Sequence, residues 1–473
     1  MSDSNTSSRH ILSIVGISFG ILLALSALPW SRLTNNTLKD FNLFEDLFPS
    51  QSSAPVASTA PIVDPELEAL INGSGDTGDG NLHENTAIPA DTTASDTVLQ
   101  YIQADPAPMI DGSVAIENYS SGPILPNLRQ ALAEASQRTV RIAVIGDSYI
   151  EGDIFCSHLR DILQQRYGGS GVGFMAAHID FPGFRQTVNQ SSKGWAMHDI
   201  RSISRRDTLR TLSGDYARAD SFATTSFSAR SKFPTTKSWD KTTFLFLTHR
   251  RGSISYTGAE GVKQKFDITP SDNVQAISID GPTTKSTFSV SVPGIVSLGT
   301  YLDASAGVQL DCMSIRGNSG LATGRINPAL CRQMAQWADY DLIIVEFGMN
   351  VLSAGQTDYT PYMQNMVKAI THLQTCYPHA DILIMGVGDR GVKTGTEVTS
   401  LPTLPAMIDA QRETARRSGT YFWDTRAAMG GDKAVVEWRK RKLINADYIH
   451  LNHDGGGELA TLFDIALKHA LDE

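Results

Sequence analysis

Cysteine is scarce in this sequence, and the cysteines that occur lack the spacing of a metal site. The 473 residues include only four of them: Cys156, Cys312, Cys331 and Cys376. No two form a CxxC pair, so the sequence indicates no metal and no cofactor. The spacing does not show which thiols lie close together in the fold.

Basic residues are also too few for a broad nucleic-acid-binding surface. The chain has 40 lysines and arginines against 50 acidic residues, a formal net charge of -10, and no basic motif offsets that balance. The charge is uneven, however. Residues 176–305 carry 16 basic and 11 acidic side chains, whereas the first hundred residues carry 3 and 12. We therefore expect no nucleic-acid partner, but a middle segment that is locally positive.

Long apolar runs are absent apart from one near the N-terminus, at residues 11–30 (ILSIVGISFGILLALSALPW). Twenty helical residues span roughly 30 Å, the thickness of a bilayer core. This run predicts a transmembrane anchor over 11–30, after an N-terminal tail over 1–10, with the rest of the chain exported. Two alternatives remain open: a signal segment cleaved near Ala24-Leu25-Ser26, and a buried helix of a cytosolic protein.

Residues 51–95 contain no aromatic side chain and are rich in Ser, Thr, Pro, Gly and Asp. Such a segment cannot bury enough apolar surface to offset the entropy of ordering it. We therefore predict a disordered acidic linker over 31–96 and an ordered region from residue 97. The composition of the chain, 41% hydrophobic and 19% charged, is that of a protein with a sizeable core.

A strand, a turn and a helix are predicted in succession over residues 140–167. Residues 140–145 (VRIAVI) form a mostly apolar, β-branched run, typical of a strand buried on both faces, and 154–167 have helical apolar spacing. Ser148 therefore lies at the carboxyl end of a strand and just before a helix, where open α/β sheets place their active sites. We expect the neighbouring Asp147 to hydrogen-bond within this turn. Alone, Gly146-Asp147-Ser148 is equally typical of an ordinary turn.

Three later segments also place candidate functional residues at predicted turns. Gly317 follows a strand-like stretch, Asn350 follows the apolar run 341–347, and Asp447 and His450 precede the last predicted helix. A serine hydroxyl needs a neighbouring base to become a nucleophile, and a histidine held by a carboxylate is such a base. Each residue also has a structural alternative, since Asn and Asp commonly cap strands and helices. His453 is a competing base.

In this order, the four segments resemble the blocks of the SGNH (GDSL-type) hydrolase superfamily. GDSY at 146–149 resembles its Ser block, Gly317 its Gly block, GMN at 348–350 its Asn block, and DYIH at 447–450 its Asp-x-x-His block. The resemblance implies an α/β fold, a three-layer flavodoxin-like parallel sheet. The hydrolase domain would be formed in two parts, residues 97–175 and 306–473. Val351 and Tyr149 depart from the common residues Asp and Leu, but neither departure removes a group that the chemistry requires.

The resemblance also implies a role for each candidate residue. Ser148 is expected to be the nucleophile, His450 the general base, and Asp447 the group that orients the histidine. The backbone N–H groups of Ser148 and Gly317 and the side-chain amide of Asn350 are expected to form the oxyanion hole.

Residues 176–305 break the α/β pattern with short β-rich segments separated by turns. That pattern predicts an inserted β-sandwich or jelly roll. The position of the insert, with the GVGF run at 171–174, resembles bacterial peptidoglycan O-acetylesterase-like SGNH proteins, which carry a carbohydrate-binding-like domain there. We therefore expect Trp195, Arg205 and Arg206 to contact substrate. The alternative is a solvated charged surface around a core tryptophan.

Together these inferences predict a serine esterase that removes O-acetyl or other short acyl groups from an acetylated glycan, with peptidoglycan as a candidate. The catalytic domain is expected in the periplasm or outside the cell, anchored by a single membrane pass or secreted after signal cleavage. Three other functions remain open because fold does not fix function. They are an SGNH O-acetyltransferase acting on an exported polysaccharide, a non-catalytic glycan-binding scaffold, and a lipase.

Overall fold

The computed structural model describes residues 108–200, 207–395 and 397–472. The predicted N-terminal tail, anchor and linker therefore lie outside the described residues, as do Arg205 and Arg206. Among the residues that are described, no helix is both long enough and apolar enough to cross a membrane.

The described part of the chain contains strands, α-helices and short 3₁₀ turns. The strands are β1 (Met109–Ile110), β2 (Ser113–Val114), β3 (Glu117–Asn118), β4 (Thr139–Gly146), β5 (Gly171–Met175), β6 (Val188–Lys193), β7 (Ala196–Asp199), β8 (Asp215–Ala219), β9 (Phe222–Ala229), β10 (Trp239–Thr248), β11 (Gly252–Gly258), β12 (Lys263–Ile268), β13 (Ser271–Thr283), β14 (Lys285–Ser291), β15 (Ile295–Asp303), β16 (Gly307–Ser314), β17 (Leu342–Glu346), β18 (Asp381–Met385), β19 (Gly391–Thr394), β20 (Glu397–Ser400) and β21 (Tyr421–Trp423). The α-helices are α1 (Pro126–Ala133), α2 (Cys156–Tyr167), α3 (Pro328–Ala338), α4 (Thr360–Cys376), α5 (Leu404–Ser418), α6 (Thr425–Met429), α7 (Ala434–Lys440) and α8 (His453–Leu471). The 3₁₀ turns are Glu151–Asp153, Pro182–Phe184, Pro234–Thr236 and Leu321–Arg325.

A six-stranded sheet with the order β16-β4-β17-β18-β21-β3 forms the centre of the hydrolase part. The first five strands are parallel to one another, and β3 is antiparallel to β21 at one edge. Every residue of β17 and β18 is buried, as expected for apolar strands that are covered on both faces. The predicted α/β class with a parallel sheet is confirmed.

The predicted Ser strand is present as β4, but the helix after it begins later than expected. The helix α2 starts at Cys156 rather than at residue 154, and the 3₁₀ turn Glu151–Asp153 lies between it and Ser148. The sequence-based placement of Ser148 just before a helix therefore needs correction. The turn belongs to a longer connection, which we call the Ser loop (residues 147–155).

The insert consists of two antiparallel sheets that enclose a common core. One sheet has the order β13-β10-β15-β8-β7, with β5 also paired to β15, and the other has the order β12-β11-β14-β9-β6. Aromatic and aliphatic side chains from both sheets pack together between them, including Phe244 and Phe246 of β10 and Phe288 of β14. Strands β11 (GSISYTG) and β15 (IVSLGTYLD) lie within residues 176–305, the part of the chain predicted to contain short β-rich segments.

The boundary between the first hydrolase part and the insert differs from the predicted one. Strand β5 pairs antiparallel with β15, so that Met175 lies opposite Thr300 and Gly171 opposite Asp303. The insert sheet thus begins at Gly171 rather than at residue 176. The GVGF run belongs to β5, and its partner strand lies 125 to 132 residues further along the chain, beyond the reach of local patterns.

A buried ion network around Asp153 connects the Ser loop with α2 and with the insert. The Asp153 carboxylate receives two hydrogen bonds from Arg160 of α2, at 2.7 and 2.8 Å, and others from Arg185 and Thr187 at 3.2 and 3.1 Å. Burial alone would raise the pKa of Asp153, but the charges of Arg160 and Arg185 lower it to about 2. The thiols of Cys156 and Cys312 lie close to this carboxylate. Both oxygens of Asp153 are already bonded to arginine, so these groups form a network of ion pairs that connects the Ser loop, α2 and the insert.

Candidate active site

Ser148 lies two residues beyond the end of β4 and is half-buried. Strand β4 runs parallel to β17, and Gly146 is aligned with Glu346. A Cβ atom at position 146 would lie 2.8 Å from the carbonyl oxygen of Glu346, which is closer than carbon and oxygen normally approach. Glycine at this position therefore allows the two backbones to come together directly below the Ser loop.

Asp447 and His450 lie in the connection between α7 and α8, three residues apart. One carboxylate oxygen of Asp447 accepts hydrogen bonds from the backbone N–H groups of Ile449 and His450, at 2.9 and 3.1 Å. This is an Asx-type turn, in which a side chain stabilises the local backbone. Tyr448, between the two residues, has a positive φ of 57°. The turn brings the second carboxylate oxygen to the histidine ring.

Ser148, His450 and Asp447 form a continuous hydrogen-bonded triad. The distance from Ser148 Oγ to His450 Nε2 is 3.0 Å, and that from His450 Nδ1 to Asp447 Oδ2 is 2.7 Å. Because a carboxylate only accepts hydrogen bonds, Nδ1 carries the proton and Nε2 is left to accept the serine proton. The structure therefore brings together the three residues that the sequence predicts as a triad.

Asp447 is maintained as an anion by its hydrogen bonds. Partial burial acts to raise the pKa of Asp447, but the hydrogen bonds from the His450 ring and from the two backbone N–H groups outweigh it and lower that pKa to about 2. About two-fifths of each triad partner's side chain is exposed, 44% for Asp447 and 36% for His450. The base is therefore accessible to a substrate from solvent.

The predicted oxyanion donors are half-buried residues on three separate loops. The N–H groups of Ser148 and Gly317 have no hydrogen-bond acceptor within the described ranges, so they are available to a bound oxyanion. Gly317 has a φ of +77°, a conformation that favours glycine. These are features that an oxyanion hole requires.

The amide group of Asn350 is oriented by two acceptors. Its Nδ2 donates to Asp147 Oδ2 at 2.7 Å and to the carbonyl oxygen of Asn318 at 3.2 Å. The same Asp147 carboxylate accepts the N–H of Tyr149 at 2.9 Å. The predicted role of Asp147 in the turn is thus present, and Asp147 additionally fixes the direction of the Asn350 amide next to the Gly317 loop.

Two buried carboxyl groups lie at the ends of β4 and β17, where the Ser loop begins. Asp147 and Glu346 are both fully buried, and neither carboxylate oxygen of Glu346 has a well-formed hydrogen bond within the described residues. Burial raises the pKa of Asp147 to about 7, although its hydrogen bonds and the charge of His450 act in the opposite direction. Burial also raises the pKa of Glu346 well above its usual range, and the charge of Asp147 adds to this effect. The pair therefore retains at least one proton at neutral pH.

Glu346 is not among the residues that the sequence predicts for the site. The run DLIIVEF has acidic residues only at its first position and at Glu346. An ionisable residue inside a predicted buried strand was the signal in the sequence that could have identified it.

The competing base His453 is not positioned to accept the proton of Ser148, because its Nε2 donates to the carbonyl oxygen of Phe184 at 3.1 Å.

The structure corrects the prediction for Trp195. Its ring is only 9% exposed and belongs to the core between the two insert sheets. It packs edge-on to Phe244, and its Nε1 donates to the carbonyl oxygen of Thr224 at 3.1 Å. A ring enclosed in this way offers no face to a sugar. Arg205 and Arg206, predicted to contact substrate beside it, lie outside the described residues.

The fold and the triad define the class of protein. A serine, histidine and aspartate in hydrogen-bonded sequence, with backbone and amide donors beside the serine, make up the apparatus of a serine hydrolase. The chain order, Ser148 before Asp447 before His450, has the nucleophile after the first long parallel strand and the other two residues just before the last helix.

Comparison with known proteins gives one family match and one similar fold. The model of the GDSL-like lipase/acylhydrolase family matches residues 293–456, about a third of the chain, which include Gly317, Asn350, Asp447 and His450. A solved peptidoglycan O-acetylesterase has a similar fold, with a TM-score of 0.62 and 22% sequence identity, covering 76% of this chain and 99% of that one. The match over residues 293–456 and the shared fold both support an esterase of the SGNH (GDSL-type) kind.

A second solved structure is less similar. A family two carbohydrate esterase from Cellvibrio japonicus aligns over 59% of this chain and 99% of its own, with 10% identity and a TM-score of 0.26, which is too distant to support an argument. No curated protein sequence matches the chain significantly.

Single substitutions test the triad. Ser148→Ala and His450→Ala should each remove nearly all hydrolysis of 4-nitrophenyl acetate, whereas Asp447→Asn should leave a small residual rate because the neutral amide also permits the wrong histidine tautomer. Steady-state kinetics measure the rates, and circular dichroism checks that each variant is folded. His453→Ala is the matched control. If it proves more damaging than His450→Ala, the assignment of the base is wrong.

A double-mutant cycle tests whether Asp147 acts by orienting Asn350. Asn350→Ala should lower kcat by about 10²–10³ with little change in KM, because an oxyanion donor acts mainly in the transition state. Asp147→Asn presents an NH₂ group to Nδ2 of Asn350 and should rotate that amide away, which lowers kcat as well. In the Asn350→Ala background, Asp147→Asn should have little further effect. Fully additive losses in kcat would show that Asp147 does not act through Asn350.

The raised pKa of Glu346 predicts a pH-dependent stability. Between the pKa of the unfolded chain and the higher pKa of the folded protein, the folded state binds more protons, so the free energy of unfolding falls as pH rises. Glu346→Gln removes this titration. Its free energy of unfolding relative to that of the wild-type protein should therefore increase from pH 5 to pH 8 in urea titrations. A difference that is constant with pH would mean that Glu346 is already ionised in the fold.

Proposed function

We propose that this protein is a serine esterase that removes O-acetyl groups from a glycan outside the cytoplasm, with peptidoglycan as the favoured substrate. The observation that carries the proposal is the Ser148–His450–Asp447 hydrogen-bonded chain, half exposed at the surface and built for acyl transfer. The choice of substrate is supported by the fold likeness, which extends over nearly the whole of a solved peptidoglycan O-acetylesterase.

In the proposed reaction, Ser148 Oγ attacks the carbonyl carbon of the acetyl ester and its proton passes to Nε2 of His450. Asp447 stabilises the resulting imidazolium. The tetrahedral oxyanion accepts hydrogen bonds from the N–H groups of Ser148 and Gly317. The amide of Asn350 provides a third when it exchanges its longer hydrogen bond, to the carbonyl oxygen of Asn318, for one to the oxyanion. Loss of one such donor typically costs about 10²–10³ in kcat.

Collapse of the tetrahedral intermediate breaks the bond to the sugar oxygen. The imidazolium of His450 gives its proton to that oxygen, and the sugar leaves with a free hydroxyl group. Ser148 then carries an acetyl group. Water, deprotonated by His450, attacks the acetyl carbonyl, and acetate leaves as Ser148 regains its proton.

The proposed location follows from the substrate, since polymeric wall glycans lie outside the cytoplasmic membrane. The apolar run at 11–30 supports it, because a segment of that length and composition is typical of a membrane anchor or an export signal.

Acetate release tests the proposed function. The detergent-solubilised full chain should release acetate from O-acetylated peptidoglycan and from 4-nitrophenyl acetate, and Ser148→Ala should release none from either. Chemically de-acetylated peptidoglycan is the substrate control. Hydrolysis of the small ester without acetate release from peptidoglycan would exclude this glycan. Faster turnover of long-chain than of acetyl esters would favour a lipase, and transfer of acetyl to an added glycan instead of water would favour a transferase.

A further inference from the structure

The segment before β6 packs against the Ser loop and against the first residue of α8, which follows the loop that carries Asp447 and His450. We call residues 178–187 the insert strap. The ring of Phe184 lies against Gly152 of the Ser loop, where an added Cβ atom would be 2.2 Å from the ring. The carbonyl oxygen of Phe184 accepts a hydrogen bond from His453, three residues after His450. The insert strap therefore lies beside the catalytic loops rather than on the far side of the insert.

Two aromatic side chains of the insert strap are exposed to solvent. The side chains of Phe181 and Phe184 are 59% and 46% exposed, and they are among the few large apolar side chains of the described residues that face water. Exposed apolar groups that lie together, next to polar groups, mark binding sites more often than isolated ones do. Here two such rings lie three residues apart at the edge of the active site.

Arg316 supports the ring of Phe181. Its guanidinium carbon lies over that ring, 5.3 Å from the centroid, and its Nη2 and Nε bond to Glu151 of the Ser loop at 2.6 and 3.0 Å. Arg316 is the residue before Gly317. One face of Phe181 is thus covered by a cation that is fixed between the Ser loop and an oxyanion-donor loop, and the ring remains more than half exposed.

We propose that Phe181, with Phe184 beside it, forms an aromatic platform on which a sugar ring of the glycan substrate stacks, next to Ser148. The C–H face of a pyranose is apolar, and it packs well on a flat ring, whereas its hydroxyl groups need polar partners at the rim. Arg316 and Glu151 provide such polar groups. The site takes the place that Trp195 was predicted to have, and the inference rests on the proposed function, since its ligand is the glycan part of that substrate.

Substitution of Phe181 tests the platform. Phe181→Ala should raise KM for O-acetylated peptidoglycan fragments and lower kcat/KM about three- to tenfold more than for 4-nitrophenyl acetate, because only the glycan loses the flat apolar face on which it packs. Phe181→Trp should restore the glycan activity. Phe222→Ala is the matched control, since that ring is similarly exposed, at 55%, but lies on β9 of the second insert sheet. Phe184 is left unchanged because its ring supports Gly152.

A binding measurement separates this inference from the proposed function. In the Ser148→Ala protein, calorimetry should detect binding of a β-1,4-linked N-acetylglucosamine tetramer, and Phe181→Ala added to that protein should weaken it at least threefold. If the wild-type protein releases no acetate from peptidoglycan, the proposed function fails while this measurement still tests the platform. No binding of the tetramer, equal binding by both proteins, or equal kinetic losses on the glycan and the small ester would overturn the platform.

Discussion

Asp153 places a negative charge where water does not reach it, and arginines from two different parts of the chain neutralise it. A buried charge that lost one of these partners would cost several kcal/mol, so the network is formed completely or not at all. Arg160 also donates to the carbonyl oxygen of Leu310 in β16, and Arg185 to those of Val172 and Phe174 in β5. One carboxylate therefore fixes the Ser loop to α2, to the central sheet and to the insert strap together.

Burial and hydrogen-bond partners also decide which acidic residues are ionised near Ser148. The acidic residues around Ser148 have different environments and, as a result, different pKa values. Asp447 accepts hydrogen bonds from the His450 ring and from two backbone N–H groups and stays ionised, so that it can orient His450. Asp147 and Glu346 are buried, neither forms an ion pair with an arginine or lysine of the described residues, and burial favours their protonated forms. Of these three carboxyl groups, only the one that contacts the base holds its charge firmly, and the other two add little negative charge where an oxyanion forms.

The sequence alone was sufficient for the class of fold and for the candidate triad. An apolar β-branched run predicts β4 because burial on both faces requires such residues. Asp447 and His450 are only three residues apart, so their pairing can be predicted from the local sequence. Partnerships across long stretches of chain could not be predicted in this way. The pairing of β5 with β15, the attraction of Arg185 to Asp153 and the proximity of Glu346 to Asp147 all depend on tertiary contacts. Trp195 illustrates the same limit, since composition does not show which face of a β-segment turns inward.

The pairing of β5 with β15 also bears on the order in which the chain folds. In the central sheet β16 lies beside β4, yet β4 ends at Gly146 and β16 begins at Gly307, so direct pairing must close a very long loop. Loop closure costs conformational entropy that grows with loop length. An insert whose own sheets have formed holds its entry at Gly171 against its exit at Asp303, and the connection between β4 and β16 is then effectively short. The insert interrupts the hydrolase in sequence, but once folded it holds the chain so that β4 and β16 can pair.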